Sequence, residues 1–343
     1  MVTLSAIAKR AKVSVATVSN VLNQRGGYGE ETASRILQAA EELGYFRHRR
    51  GKRPRQAQTV VAVYRPFPTA FPPDEVPGNF ESHAIDAIER YLGTQGYRLV
   101  LAGAEGEPDS PLPPALAQQD VVGVLLVGGR FSDRFVQRVL NTDLPTVMVG
   151  SIPKVDCNAV SAANRAGMYK ATTHLLQHGR RSIAFIKGPP TTATSAEKLL
   201  GYMEALRDAG LEPSADLIFD GDFSVESGQR VAHALVQRGL PVDAVLASND
   251  HMAAGCLTAL LDHGVAVPQQ VAVFGFGDNA VAQLIRPSLS TMRIPRAVIG
   301  ELAARRLVEM IADPDSLPVQ TTVTTPLVVR ESCGTLAPTT TPE

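Results

Sequence analysis

From residue 59 onward the chain keeps returning to one device: a short aliphatic run, then a stretch with helical spacing. The runs "TVVAV", "RLVLA", "VVGVLLV", "PTVMV", "SIAFI", "DAVLA" and "VAVFG" are apolar on both faces and only five to seven residues long. Such runs read as buried parallel strands. Between them, Glu81 to Leu92, Ala166 to Gln177 and Ser227 to Arg238 carry helical periodicity. Alternation sustained over about 270 residues leaves few architectures, and the class it predicts is α/β with doubly wound parallel sheets. Ligands of such sheets sit beyond the carboxyl ends of the strands.

The 343 residues exceed a usual single domain, and the first 58 have a different character. They hold eleven Lys or Arg against four acids, a charge of +7, which leaves 22 basic and 30 acidic residues, or −8, for the rest. A basic head on an acidic body predicts a polyanion bound by the head. Thr3 can cap a helix with Leu4, Ile7, Ala8 and Ala11 on one side, and Ser14 can cap a second with Val18, Val21 and Leu22 inward. Asn23 to Gly29 reads as a loop. Ala33, Ile36, Leu37, Ala40 and Leu43 set out a third helix, stopped by Gly44. Two short helices across a tight turn, braced by a third, form a helix-turn-helix. The outer side of the second helix has Ala16 and Asn20 at i, i+4, not Lys and Glu. Asn can bind adenine with two hydrogen bonds and Ala can touch a thymine methyl, while Ser14, Thr17 and Ser19 can reach phosphates. A small helical bundle with an incidentally neutral surface is the alternative.

Other chemistries lack their residues. No GxGxxG, Walker loop, GxSxG or HExxH stands where it would be needed, so no catalytic set and no cofactor is expected. Cys157, Cys256 and Cys333 lie far apart and are odd in number, which predicts neither disulfides nor a metal site and suits a reducing cytoplasm. His251 has no paired nucleophile and reads as a surface or satisfied histidine. No run approaches the roughly 20 apolar residues of a membrane span, and the N-terminus does not resemble a secretion signal.

"TLSAIAKRAKVSVATVSNVLNQ" followed by "ETASRILQAAEELGY" resembles the DNA-binding head of LacI/GalR-type bacterial transcriptional regulators. The resemblance implies that Val15, Ala16 and Asn20 read bases, with Thr3 and Asn23 completing the set at the DNA. Lys12 stands where the family's turn usually has Gly, and a left-handed Lys there costs about 1 kcal/mol. Between head and body, "FRHRRGKRPRQAQ" corresponds to the family's hinge helix, which wedges a Leu into the minor groove. Here Pro54 takes that place after Gly51, so binding is expected mainly through Arg47, Arg49, Arg50, Lys52, Arg53 and Arg55 on phosphates or in a narrow minor groove. A solvated linker is the alternative.

The body resembles the family's effector-binding core, a fold shared with periplasmic sugar-binding proteins. The matching stretches are "ANRAGMYKATTHLLQHGRRSIAFIKGPP", "GYMEALRDAGL", "GDFSVESG", "ASNDHMAAG", "VAVFGFGDN" and "RPSLSTMRIP". The implied organisation is a head at 1–45, a hinge at 46–59, a core at 60–334 and a flexible tail at 335–343. Three chain crossings near 160, 290 and 322 would divide the core into one lobe of 60–160 plus 290–321 and another of 161–289 plus 322–334, ending in the strand "TPLVVR". The implied effector residues are Phe67, Thr194, Lys198, Phe223, Asn249 and Asp278. Lys198 replaces an Arg and keeps the charge without the planar fork. Gly277 replaces an Asp that binds sugar hydroxyls or a purine, so an effector other than a simple neutral sugar, anionic or apolar, is expected. Phe67 and Phe71 belong to a Pro-rich segment that replaces the family's "NPFF"-like stretch.

The whole pattern predicts a cytoplasmic regulator, on the nucleoid when DNA-bound. It would be a homodimer on a palindromic double-stranded operator, controlled by a small-molecule effector in the cleft, with no membrane partner. The tail "CGTLAPTTTPE" lacks the apolar heptads that would make a tetramer. A regulator whose pocket no longer answers to an effector, and a solute-binding receptor without DNA function, are the rival readings.

Overall fold

The computed structural model describes residues 4–22, 29–42, 58–64, 80–104, 110–128, 131–239 and 241–334. The chain divides into two units, 1–56 and 57–343.

The first unit holds α1 (Leu4–Ala11), α2 (Val15–Leu22) and α3 (Glu30–Glu42). Ile7, Ala8, Ala11, Val18, Val21, Ile36 and Ala39 close a small core, which is the periodicity of the sequence turned inward. Lys12 does adopt the left-handed conformation, at φ 53°, and ends α1. Two bonds hold that strained turn: the Val13 N–H donates to the Ala8 carbonyl at 3.0 Å, and Arg35 Nη2 donates to the Ala11 carbonyl at 3.0 Å. The Ser14 hydroxyl accepts from the Thr17 N–H at 3.0 Å and so caps α2.

The second unit is built on two six-stranded sheets. Its elements are β1 (Thr59–Tyr64), α4 (Phe80–Thr94), β2 (Arg98–Gly103), β3 (Val121–Val127), α5 (Asp133–Leu140), β4 (Thr146–Val149), β5 (Asn158–Ala162), α6 (Asn164–Gln177), β6 (Ile183–Lys187), α7 (Ala193–Asp208), β7 (Ile218–Asp220), α8 (Val225–Gln237), β8 (Ala244–Ala247), α9 (Asp250–Asp262), β9 (Ala272–Gly277), α10 (Ala280–Leu284), β10 (Ser290–Arg293), α11 (Arg296–Ala312), β11 (Gln320–Val323) and β12 (Leu327–Val328). The first sheet runs β11-β5-β4-β3-β1-β2, parallel throughout; the second runs β12-β10-β9-β8-β6-β7, with β12 alone antiparallel. Each of the seven aliphatic runs is a strand, and each sheet is covered on both faces by apolar clusters, as parallel sheets require.

The lobe boundaries differ from the sequence expectation at each crossing: β5 runs to Ala162 and β11 to Val323 in the first sheet, where 161 and 322 were expected to open the second lobe, and the largest difference falls at 290–293. Residues 290–293 were expected in the first lobe, but β10 pairs with β9 and β12 in the second sheet. The reason is packing: Leu289 and Met292 are fully buried in second-lobe clusters. The chain therefore crosses at residues 163, 294–295 and 324–326, after which α11 lies on α4 and the first sheet. These crossings leave from the carboxyl ends of β5, β10 and β11. The carboxyl edges of both sheets consequently border one interlobe space.

Among the described residues no helix is long and apolar enough to cross a membrane, and no three His, Cys, Asp or Glu side chains gather as a metal site. All three cysteines are buried and unbridged.

Candidate functional site

In the head, the α2 N-terminus is the organised feature. Ser14 and Thr17 share a hydroxyl hydrogen bond of 2.7 Å at the cap, and Val15 beside them is 46% exposed despite being aliphatic. Val15 is thus free of the head's own core and can meet another surface. The side chains of Ala16, Ser19 and Asn20, and the whole of Thr3, Asn23, Arg47, Arg49, Arg50, Lys52, Arg53, Pro54 and Arg55, lie outside the described residues.

In the body, four segments meet at the carboxyl edge of the second sheet: the start of α7, the link from β8 to α9, the end of β9, and the start of α11. Lys198, in the second turn of α7, is 5% exposed. Its Nζ donates to the Ser248 carbonyl at 3.0 Å and stands 4.4 Å from the centre of the Phe276 ring. Burial pulls its pKa down to about 8; Glu197 and Asp250 work in the opposite direction, and Arg296 adds to the depression.

Asp250 is fully buried at the first position of α9. Its Oδ1 accepts from the Thr291 hydroxyl and its Oδ2 from the Asn279 N–H, both at 2.6 Å. Burial nevertheless pushes its pKa up to about 6. Arg296, the first residue of α11, donates through Nη2 to Asn279 Oδ1 at 2.6 Å, so a first-lobe helix reaches a second-lobe loop. Gly277 lies between these groups at φ 142°. A Cβ there would stand 2.9 Å from Asn279 Nδ2, 3.1 Å from Asp250 Oδ2 and 3.2 Å from Arg296 Nη2. The position that in the resembling family carries a carboxylate is here bare backbone, ringed by an Asn, an Asp and an Arg.

The remaining effector expectations fare differently. Thr194 is half-buried in the first turn of α7. Phe223, at φ 71°, lays its ring on Gly188 just past the end of β6, where a Cβ would come within 2.3 Å of the ring. Asn249 uses both ends of its amide inside the fold: Oδ1 caps α9 by accepting from the Met252 N–H, and Nδ2 donates to the Phe223 carbonyl, each at 2.9 Å. Asp278 is gripped by Arg293 Nε at 2.7 Å and Arg330 Nη2 at 2.6 Å. Burial acts upward on its pKa, and the two guanidinium bonds outweigh it, for a net lowering. Asn249 and Asp278 therefore act as braces of the second lobe's edge. Phe67 and Phe71 lie outside the described residues. The structure adds Asp250, Asn279 and Arg296, which sequence reasoning missed. An acid at the end of a buried strand was the available sign for Asp250, whereas nothing local marks Arg296.

Residues 3–48 match the profile described as "Bacterial regulatory proteins, lacI family", and residues 172–333 that of a "Periplasmic binding protein-like domain". The HTH-type transcriptional regulator CelR of Thermobifida fusca is 33% identical over 336 residues, 96% of this chain and 98% of the relative. The HTH-type transcriptional regulator AscG of Escherichia coli (strain K12) is 31% identical over 327 residues, 94% of this chain and 95% of the relative. A solved complex of transcriptional regulator CelR with cellobiose superposes with a TM-score of 0.70 at 31% identity, covering 97% of this chain and 100% of that one.

Proposed function

The chain belongs to the LacI family of bacterial DNA-binding transcriptional regulators, and from that premise we propose that it is a repressor acting as a homodimer on a palindromic operator, with a small-molecule effector in the interlobe space setting its DNA affinity. The observation that carries the effector reading is the carboxyl edge of the second sheet, where buried Asp250, Asn279 and bridging Arg296 ring a bare Gly277 and buried Lys198 stands over the adjoining Phe276 ring. A buried ammonium is costly to keep unless it has a partner to meet. The solved complex of the relative CelR with cellobiose supports a small ligand in this fold.

The DNA reading rests on the +7 head, the capped α2 and exposed Val15. One head has too little surface for tight specific binding, and a two-fold protein doubles it on two half-sites. Effector binding changes the angle between lobes, and the coupling needed is about 1–3 kcal/mol between the DNA-competent and incompetent forms. A salt-titrated gel shift with a palindromic site tests the reading. The wild type binds as a dimer with steep salt dependence, and Ala16→Glu with Asn20→Glu abolishes recognition. Undiminished binding by that double variant refutes it.

A further inference from the structure

Helices α8 and α9 each leave the carboxyl end of a strand of the second sheet and run back to its amino edge, the edge away from the interlobe space. They touch backbone to backbone where they start: a Cβ on Gly228 would collide with the Met252 carbonyl, and one on Gly255 with the Val225 carbonyl. That approach carries the two helices side by side to their carboxyl ends. There the imidazoles of His233 and His263 meet edge to face, with ring centres 4.9 Å apart and planes at 87°. Both residues are exposed, so burial of apolar surface does not account for the pairing.

The surroundings of the pair favour a cation. His233 Nδ1 lies 2.8 Å from the Gln229 carbonyl, and since a carbonyl only accepts, the neutral ring carries its proton on Nδ1 and its lone pair on Nε2. A bond of this kind is what fixes the tautomer and orientation of metal-bound histidines. His263 is the C-cap of α9 and His233 lies four residues from the end of α8, so both rings stand at the negative ends of helix dipoles. Arg230, on the turn before His233, is turned to Asp222 at 3.1 Å. The separation of the rings also fits. With metal–nitrogen distances of about 2.0–2.1 Å, two imidazoles in neighbouring positions on one ion have ring centres roughly 4.5–5 Å apart.

We propose that His233 and His263 bind one divalent transition-metal ion, zinc, nickel or copper, with water filling its other positions. His233 meets the ion through Nε2, and the exposed His263 ring turns one nitrogen onto it. The ion clips the carboxyl ends of α8 and α9 together, at the opposite edge of the second sheet from Lys198 and Asp250. Imidazole nitrogens suit these borderline ions, whereas magnesium and calcium take oxygen ligands.

The test uses tag-free full-length protein. Isothermal titration and thermal unfolding are read with nickel, zinc, magnesium and calcium chlorides for the wild type, His233→Gln, His263→Gln and, as a control, His83→Gln at an exposed position on α4. The wild type takes up one equivalent of nickel or zinc at this site and melts higher with it. His233→Gln and His263→Gln each weaken that binding at least tenfold and lose the thermal shift, while His83→Gln behaves as the wild type. Magnesium and calcium give neither heat nor shift. Failure of both nickel and zinc to bind the wild type, wild-type affinity retained by either paired variant, or an equal shift with magnesium overturns the proposal.

Discussion

Lys198 offers a measurement that does not depend on knowing any ligand. Its pKa lies near 8 in the folded chain, because burial disfavours the ammonium, against 10.5 for a free lysine side chain. Below pH 8 the group is charged in both states and the folded state carries the full desolvation penalty. Above pH 8 the folded state sheds the proton while the unfolded chain keeps it until about pH 10.5, so this group adds stability as pH rises through that window. Linkage puts the gain at roughly 1 kcal/mol by pH 9 and roughly 2–3 kcal/mol by pH 10 relative to neutral pH. Other buried groups act oppositely: Cys157 is pushed up to about 11 and Cys256 to about 12, and Tyr202 is also raised, so each costs stability once its unfolded counterpart ionises. A single curve would mix these effects. The difference between wild type and Lys198→Met removes them, since the same cysteines and tyrosine are present in both. Urea unfolding at half-unit steps from pH 7 to 10 should show the wild type gaining on Lys198→Met by these amounts. A difference that stays flat across the range would mean that Lys198 keeps its water and is not held dry against Ser248 and Phe276.

Ser14→Ala removes the hydroxyl that accepts from the Thr17 N–H and should cost the head about 1 kcal/mol, read as faster hydrogen exchange of α2 amides with body amides unchanged. Pro54→Leu should raise operator affinity and DNA bending if the hinge wedges at this position, as measured by gel mobility on a circularly permuted fragment; no change in either would leave the hinge to its arginines alone.

Much of the architecture was legible because its signals are local. Seven aliphatic runs announced seven strands, the caps and periodicity of 4–22 and 30–42 announced the head, and Lys12 in a Gly position announced a left-handed turn. Four strands were less plain. β5, β7, β10 and β11 carry Ser, Thr, Asn, Gln or Asp within three to five residues, and only their neighbours in the sheets make them strands. That is why the second crossing was expected near 290 and falls at 294–295.

The order of runs, the head's charge and the identity of each side chain at the cleft follow from the sequence alone, because periodicity and composition act over a few residues. Tertiary structure decided which of those side chains remain available. Asn249 and Asp278 looked free on paper, and folding consumed both, one as a helix cap and the other between two arginines. Arg296 looked incidental, and a crossing some hundred residues from Lys198 set it beside Gly277. Hydrogen-bond demand in a low-dielectric interior is settled by whichever partner packs nearest, and that partner is fixed only once both sheets have closed.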